Sequence, residues 1–209
     1  MISPKRLITH GCSFTRGQEL DDPNDAWPSV VAKELNLPLL NLAKNGYSND
    51  GIVQDLVETN IDANDLVIIM WSWKHRMLIV DDKGWFSCFP ENSDPGTRNV
   101  VSNLLMAITN QDWLYKRWLT QIVLVQEYLK NKNIQYLFTT ACDNQPKSPL
   151  IHLEDKIDKD YFLSWPTLNF QDFTESYGIC PYGHPNKAAH FAFAQVILDK
   201  LNADYNIKP

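Results

Sequence analysis

The chain has 209 residues, 44% of them apolar and 21% charged, enough for the core of one globular domain and too little for two comfortable ones. Its formal charge of −6 at pH 7, with lysines and arginines scattered along it, argues against a phosphate-backbone partner, so no nucleic acid is expected. No apolar run approaches the ~18 residues of a membrane span, and no signal-peptide core follows Met1.

In chain order, Leu7-Ile8-Thr9 reads as a strand that runs into the turn Gly11-Cys12-Ser13. A helix over Trp27 to Leu35 follows, opened by Pro28 in its first turn. Leu39 to Leu42 is a second short strand. Ser48 or Asn49 can cap a helix in which Ile52, Leu56 and Val57 form the inner face. Leu66 to Met70 is an uninterrupted apolar run, as a strand covered on both faces should be. Met77 to Val80 and Trp85-Phe86 flank Asp81-Asp82-Lys83-Gly84, which predicts a hairpin inserted near residues 76–90. A helix from Asp112 to Lys130 carries the stripe Leu114, Trp118, Ile122, Val125 and Leu129, with Trp113 beside it as a further core residue. Ile134 to Thr139 is a fourth strand. Residues 142–183 are polar and irregular, either a lid or substrate-side loop or a few short helices. Asn186 to Leu201 forms the last helix. With no repeat or linker, residues 1–209 read as one α/β domain, its mostly parallel sheet covered by helices on both faces.

In such a sheet ligands bind at the carboxyl ends of the strands. Gly11 to Thr15 ends the first strand, Asn45 to Asn49 follows the second, Trp71 to Arg76 ends the third, and His184-Pro185-Asn186 precedes the last helix. Ser13 on a tight turn and His184 at a helix start are a nucleophile and its general base, because a serine hydroxyl attacks only when a base takes its proton. The plainer alternatives are a capping or turn role for Ser13, a φ > 0 turn for Gly46 and a helix-flanking role for His184. Trp71 and Trp73 flank Ser72 as candidate pocket walls, one of them suited to stacking on a sugar. Arg76 is a candidate grip for an anionic group. His190 reads as a packed helix histidine. His10 and His75 lack ligand spacing, and the four distant cysteines (Cys12, Cys88, Cys142, Cys180) contain no Cys-x-x-Cys pair, so no metal or other cofactor is expected and the thiols read as reduced.

Gly11-Cys12-Ser13-Phe14-Thr15 resembles the first sequence block of the SGNH (GDSL-type) hydrolases, in the GCSFT form of small bacterial and bacteriophage members. Asn41 to Ser48 resembles the second block, and His184-Pro185-Asn186 the fifth. The blocks fall in the family's order and span residues 7 to 201. The resemblance implies a flavodoxin-like three-layer α/β/α sandwich with sheet order 2-1-3-4. It implies Ser13 as nucleophile, His184 as base, and the backbone N–H groups of Ser13 and Gly46 as oxyanion donors. Two positions depart from it. Pro181 stands where the family places the aspartate that orients the histidine, and Trp71-Ser72-Trp73-Lys74 lacks the oxyanion asparagine. Asp172 or Glu175 is the expected substitute for the first, and Ser72, Lys74 or Asn49 for the second.

The leading expectation is therefore a serine ester hydrolase acting on a small-molecule or carbohydrate ester, cytoplasmic, or virion-associated if of phage origin. The competing one is a catalytically weakened SGNH-like carbohydrate-binding or virion-associated structural protein. A nucleotide-binding flavodoxin-like domain is disfavoured by the absence of a Gly-rich phosphate loop.

Overall fold

The computed structural model describes residues 3–82, 84–88, 97–108, 110–144, 151–205 and 207. Strand β1 (Arg6–His10) leads through Gly11-Cys12 into the one-turn helix α1 (Ser13–Arg16), then α2 (Trp27–Glu34), β2 (Leu39–Asn41) and α3 (Asn49–Glu58). Next come β3 (Asp65–Trp71), the strand pair β4 (Met77–Asp81) and β5 (Gly84–Cys88), and the helices α4 (Thr97–Ile108) and α5 (Gln111–Asn131). The chain continues with β6 (Gln135–Thr140), the short helices α6 (Ile151–Glu154) and α7 (Asp172–Tyr177), and α8 (Lys187–Tyr205). The main sheet is wholly parallel in the order β2-β1-β3-β6, which is the expected 2-1-3-4.

Side-chain parity along β3 divides the interior into two cores. Leu66, Ile68 and Met70 point to one face and pack with Trp27 and Val31 of α2 and Phe193 and Ile197 of α8. Val67, Ile69 and Trp71 point to the other and pack with Ile52 and Leu56 of α3 and Ile122 and Leu129 of α5. All seven β3 residues are buried, which explains why the run lacks the polar alternation of a one-sided strand. Each large apolar side chain so buried contributes roughly 1.5–3 kcal/mol. Helices α2 and α8 cover one face and α3 and α5 the other, and the architecture is a three-layer α/β/α sandwich.

Several expectations are corrected. Val57 is 55% exposed, because Ile52 and Leu56 share a face and the next residue turns about 100° away from it. Trp113 is 49% exposed, with the Arg117 guanidinium 5.8 Å above its ring, while Trp118 and the rest of the predicted α5 stripe are buried. Helix α4, which the sequence reading passed over, directly precedes α5, and Asn110 between them caps α5 by accepting the N–H groups of Asp112 and Trp113. The hairpin forms as antiparallel β4–β5, although Lys83 in its turn and residues 89–90 lie outside the described residues. Two strands alone are marginal in water. This pair is held by Asp50 of α3, whose carboxylate accepts Leu78 N–H at 2.9 Å, Gln121 Nε2 at 2.7 Å and a contact from Arg117. Of the irregular stretch 142–183, residues 145–150 lie outside the described residues and the remainder holds α6 and α7. All four cysteines are free. Among the described residues no helix is long and apolar enough to cross a membrane.

His190 ties α8 to the start of α2. Its side chain is fully buried, its Nδ1 accepts the Trp27 N–H at 3.1 Å, and its ring stands edge-on to Phe170. Burial, helped by the charge of His184, pushes its pKa down to about 3. The unfolded chain, with an ordinary histidine, binds the extra proton near pH 6.5, so stability is complete above that pH and falls as pH drops toward 3. His190→Gln should therefore lower the thermal midpoint at pH 7 yet flatten its decline between pH 6.5 and 4, as measured by calorimetry across that range.

Candidate active site

Three loops meet at the carboxyl end of the sheet. Ser13 is the first residue of α1, directly after the β1 turn, and only 4% exposed. Gly11 is required there, since a Cβ would strike the Thr15 side chain and the Met70 carbonyl. The turn after β2 is laid against this one: Leu42 N–H donates to Thr9 O, Lys44 N–H to Gly11 O, and Asn41 Nδ2 to Thr15 O. Gly46 sits in that turn at φ 66°, a left-handed backbone that a glycine adopts without strain. Among the described residues no protein acceptor takes the N–H of Ser13 or of Gly46.

Phe14 joins the serine to the histidine. Its ring meets Trp73 edge-on at 5.2 Å, Phe170 at 5.8 Å and His184 at 5.8 Å. His184 lies in a tight turn before α8, closed by Cys180 N–H to His184 O at 2.7 Å and Gly183 N–H to Cys180 O at 3.0 Å. Asn186 then caps α8 by accepting Ala189 N–H, while its Nδ2 donates to Tyr177 O. Among the described residues no hydrogen bond joins the Ser13 hydroxyl to the His184 ring.

The group that orients His184 is Glu19, which the sequence reading missed. Its Oε2 lies 2.5 Å from His184 Nδ1, and the same carboxylate accepts the backbone N–H of Tyr182 at 2.8 Å and of His184 at 3.2 Å. The two side chains are 17% and 11% exposed, so water competes little for this contact. Burial pushes the Glu19 carboxyl up, but the hydrogen bonds from Tyr182 and His184 outweigh it and hold it below the ordinary value. An ionised carboxylate only accepts, so Nδ1 carries a proton and Nε2 is the ring nitrogen that Glu19 leaves unoccupied. Glu19 itself has φ 72°, which curls the chain after α1 back beneath the histidine loop. Neither expected substitute occupies this place. Asp172 accepts from Asn169 Nδ2 at 2.8 Å, Glu175 is an exposed residue of α7, and His184 Nδ1 is already taken.

Of the expected side-chain oxyanion donors, Asn49 is spent elsewhere, while Ser72 and Lys74 are tied into the loop after β3. Fully buried Asn49 donates from Nδ2 to the carbonyls of Ser72 and Trp73 and accepts Ser72 N–H at 2.8 Å. Ser72 is fully buried, and its hydroxyl accepts Arg76 Nη1 at 2.9 Å. Lys74 Nζ donates to Asn144 O at 3.2 Å. Trp71 is no pocket wall: parity turns it into the α3/α5 core, edge-on to Phe138. Trp73 remains at the site, half-buried, with the Arg76 guanidinium 4.3 Å above its ring. Among the described residues no cluster of three His, Cys, Asp or Glu is arranged to hold a metal ion.

No protein-family profile matches the chain, and no curated protein matches it in sequence. Solved structures do. TesA shares 13% identity at a TM-score of 0.54, over 95% of this chain and 98% of its own. The psychrotrophic esterase EstA from Pseudoalteromonas sp. shares 12% at 0.55, over 97% and 99%. A carbohydrate esterase described as having divergent catalytic and non-catalytic binding functions in its active site shares 13% at 0.57, over 99% of this chain and 71% of its own. A G-D-S-L family lipolytic protein from Veillonella parvula shares 14% at 0.52, over 93% and 96%. The chain has the fold of the SGNH (GDSL-type) hydrolases.

If Glu19 holds the histidine loop, Glu19→Ala should raise amide exchange at Tyr182 and His184 by about tenfold or more while leaving the core strands protected. Hydrogen exchange followed by mass spectrometry or NMR reads both; unchanged rates at these two amides would refute the assignment.

Proposed function

We propose that this protein is a serine ester hydrolase using Ser13, His184 and Glu19 as its catalytic unit. The observation that carries the reading is the Glu19 carboxylate on His184 Nδ1, which restores by another route the orienting group lost at Pro181. Ser13 Oγ attacks the acyl carbonyl as its proton passes to His184 Nε2, and Glu19 stabilises the imidazolium that forms. The carbonyl oxygen, now an anion, lies against the N–H groups of Ser13 and Gly46. Collapse of the tetrahedral intermediate breaks the ester C–O bond, the leaving alcohol takes the proton from Nε2, and water then releases the acyl group by the same path. With Asn49 committed to the Ser72 and Trp73 backbone, the oxyanion is held by two backbone donors, and each absent donor costs on the order of 100- to 1000-fold in rate. The substrate class is an acyl ester of a small alcohol or carbohydrate, with Trp73 and Arg76 as the polar-aromatic wall. The same spent asparagine favours one second reading, a weakly catalytic carbohydrate-binding protein that retains the pocket.

Ser13→Ala should abolish hydrolysis of p-nitrophenyl acetate and labelling by a fluorophosphonate probe, with little change in thermal midpoint. Glu19→Gln should lower kcat on the order of 1000-fold, because the histidine loses both its tautomer and its counter-charge. Pro181→Asp should bring no gain, the Nδ1 position being filled already. Equal turnover by wild type and Ser13→Ala would leave the binding reading.

A further inference from the structure

The two backbone donors of the proposed oxyanion site come from different loops, and a partly buried polar network joins the two. Its centre is Asp55 of α3. Asp55 Oδ2 accepts Lys44 Nζ at 2.6 Å, and the same Nζ lies 3.1 Å from Tyr47 Oη and 4.5 Å above the Tyr47 ring. Lys44 and Tyr47 bracket Gly46. Tyr47 is almost fully buried, its ring lying where a Cβ on Gly51 would stand. On its other side the ring stacks on His10 at 5.8 Å and an interplanar angle of 14°.

His10 belongs to the serine's strand, not to this turn. Fully buried at the end of β1, it accepts Gly11 N–H on Nδ1 at 2.9 Å, so its proton sits on Nε2. That Nε2 lies 3.4 Å from Asp55 Oδ2, the oxygen that also holds Lys44. One carboxylate oxygen thus touches the residue two before Cys12-Ser13 and the residue two before Gly46.

We propose that Asp55 is a positioning residue that sets the spacing between the Ser13 and Gly46 N–H groups, by holding His10 and the Lys44–Tyr47 turn on one oxygen. The proposal rests on the oxyanion reading above. Burial alone would raise the Asp55 carboxyl, but the nearby His10 N–H and the Lys44 and Tyr47 side chains hold it at about 2, so the anchor is charged throughout the neutral range. Burial in turn pushes His10 down, so the ring is neutral, and its buried Nε2 rests against Asp55 Oδ2 at 3.4 Å without a closed hydrogen bond. The network reaches no substrate. It acts through geometry alone, where a displacement of about 1 Å can cost on the order of 100-fold in rate.

The test uses the full chain, the fluorophosphonate probe and p-nitrophenyl acetate. Asp55→Asn should lower kcat and the probe's labelling rate constant together by about 10- to 100-fold, with KM within about twofold. A damaged fold would instead reduce the amplitude of labelling. Lys44→Met should show the same pattern more weakly, and Asp55→Glu should recover part of the rate. Lys130→Met is the control: it removes the Lys130–Asp158 pair, whose lysine is 38% exposed like Lys44, and should leave both rates unchanged. A folded Asp55→Asn that labels at the wild-type rate overturns the proposal. Should that variant fail to fold, Lys44→Met labelling at the wild-type rate overturns it. A wild type that Ser13→Ala matches in labelling overturns the esterase reading itself and this inference with it.

Discussion

Strand β3 is hydrogen-bonded along its length to β1 on one side and β6 on the other, and covered by helices on each face. It has no route to water, so every residue in it must be apolar or paired, and its position fixes those of its neighbours. The β1 register against β3 sets where Gly11 leaves the sheet, and the Met70 carbonyl is one of the atoms that forbid a side chain there. The strand's end then presents Ser72 to Arg76 beside the serine. Replacing Ile68 or Ile69 by alanine would cost on the order of 2–5 kcal/mol, a large part of what holds a domain of this size together.

On that platform the polar groups fall into two kinds. Glu19 and His184 meet near the edge of solvent. Asn49, Ser72, Lys74 and Asn144 instead form a buried lattice around the end of β3, in which Ser72 O accepts from both asparagines. Burying so many backbone polar groups outside regular structure is costly unless each finds a partner. The Asn49 amide, which looked available for an oxyanion, is meeting that requirement. The stretch Trp71 to Lys74 is thus structural in effect: its hydrogen bonds to Asn49 and Asn144 close the chain after β3.

The contact of Glu19 with the His184 loop has a consequence for rigidity. An aspartate three residues from the histidine would tie the loop only to itself. Glu19 ties it to the chain following α1, and so to the element that carries Ser13. Ser13 and His184 are then referenced to one short segment, and the Phe14 ring meets the His184 ring edge-on.

What was legible in the sequence is what depends on period and local chemistry. The apolar run of β3, the α5 stripe, the Gly11 turn and the parallel character of the sheet follow from spacing and from the rules for βαβ units, while the strand order came with the family resemblance. The burial of Trp71 was also there to be read, since it shares parity with Val67 and Ile69. The partner of His184 was not. Glu19 lies 165 residues away in sequence, in a turn whose left-handed φ has no marker in a glutamate, whereas Asp172 and Glu175 were merely nearer along the chain. Likewise nothing local says whether an asparagine amide faces a substrate or a neighbouring carbonyl. Those choices depend on which backbone groups the folded chain leaves unpaired, and only the tertiary structure decides that.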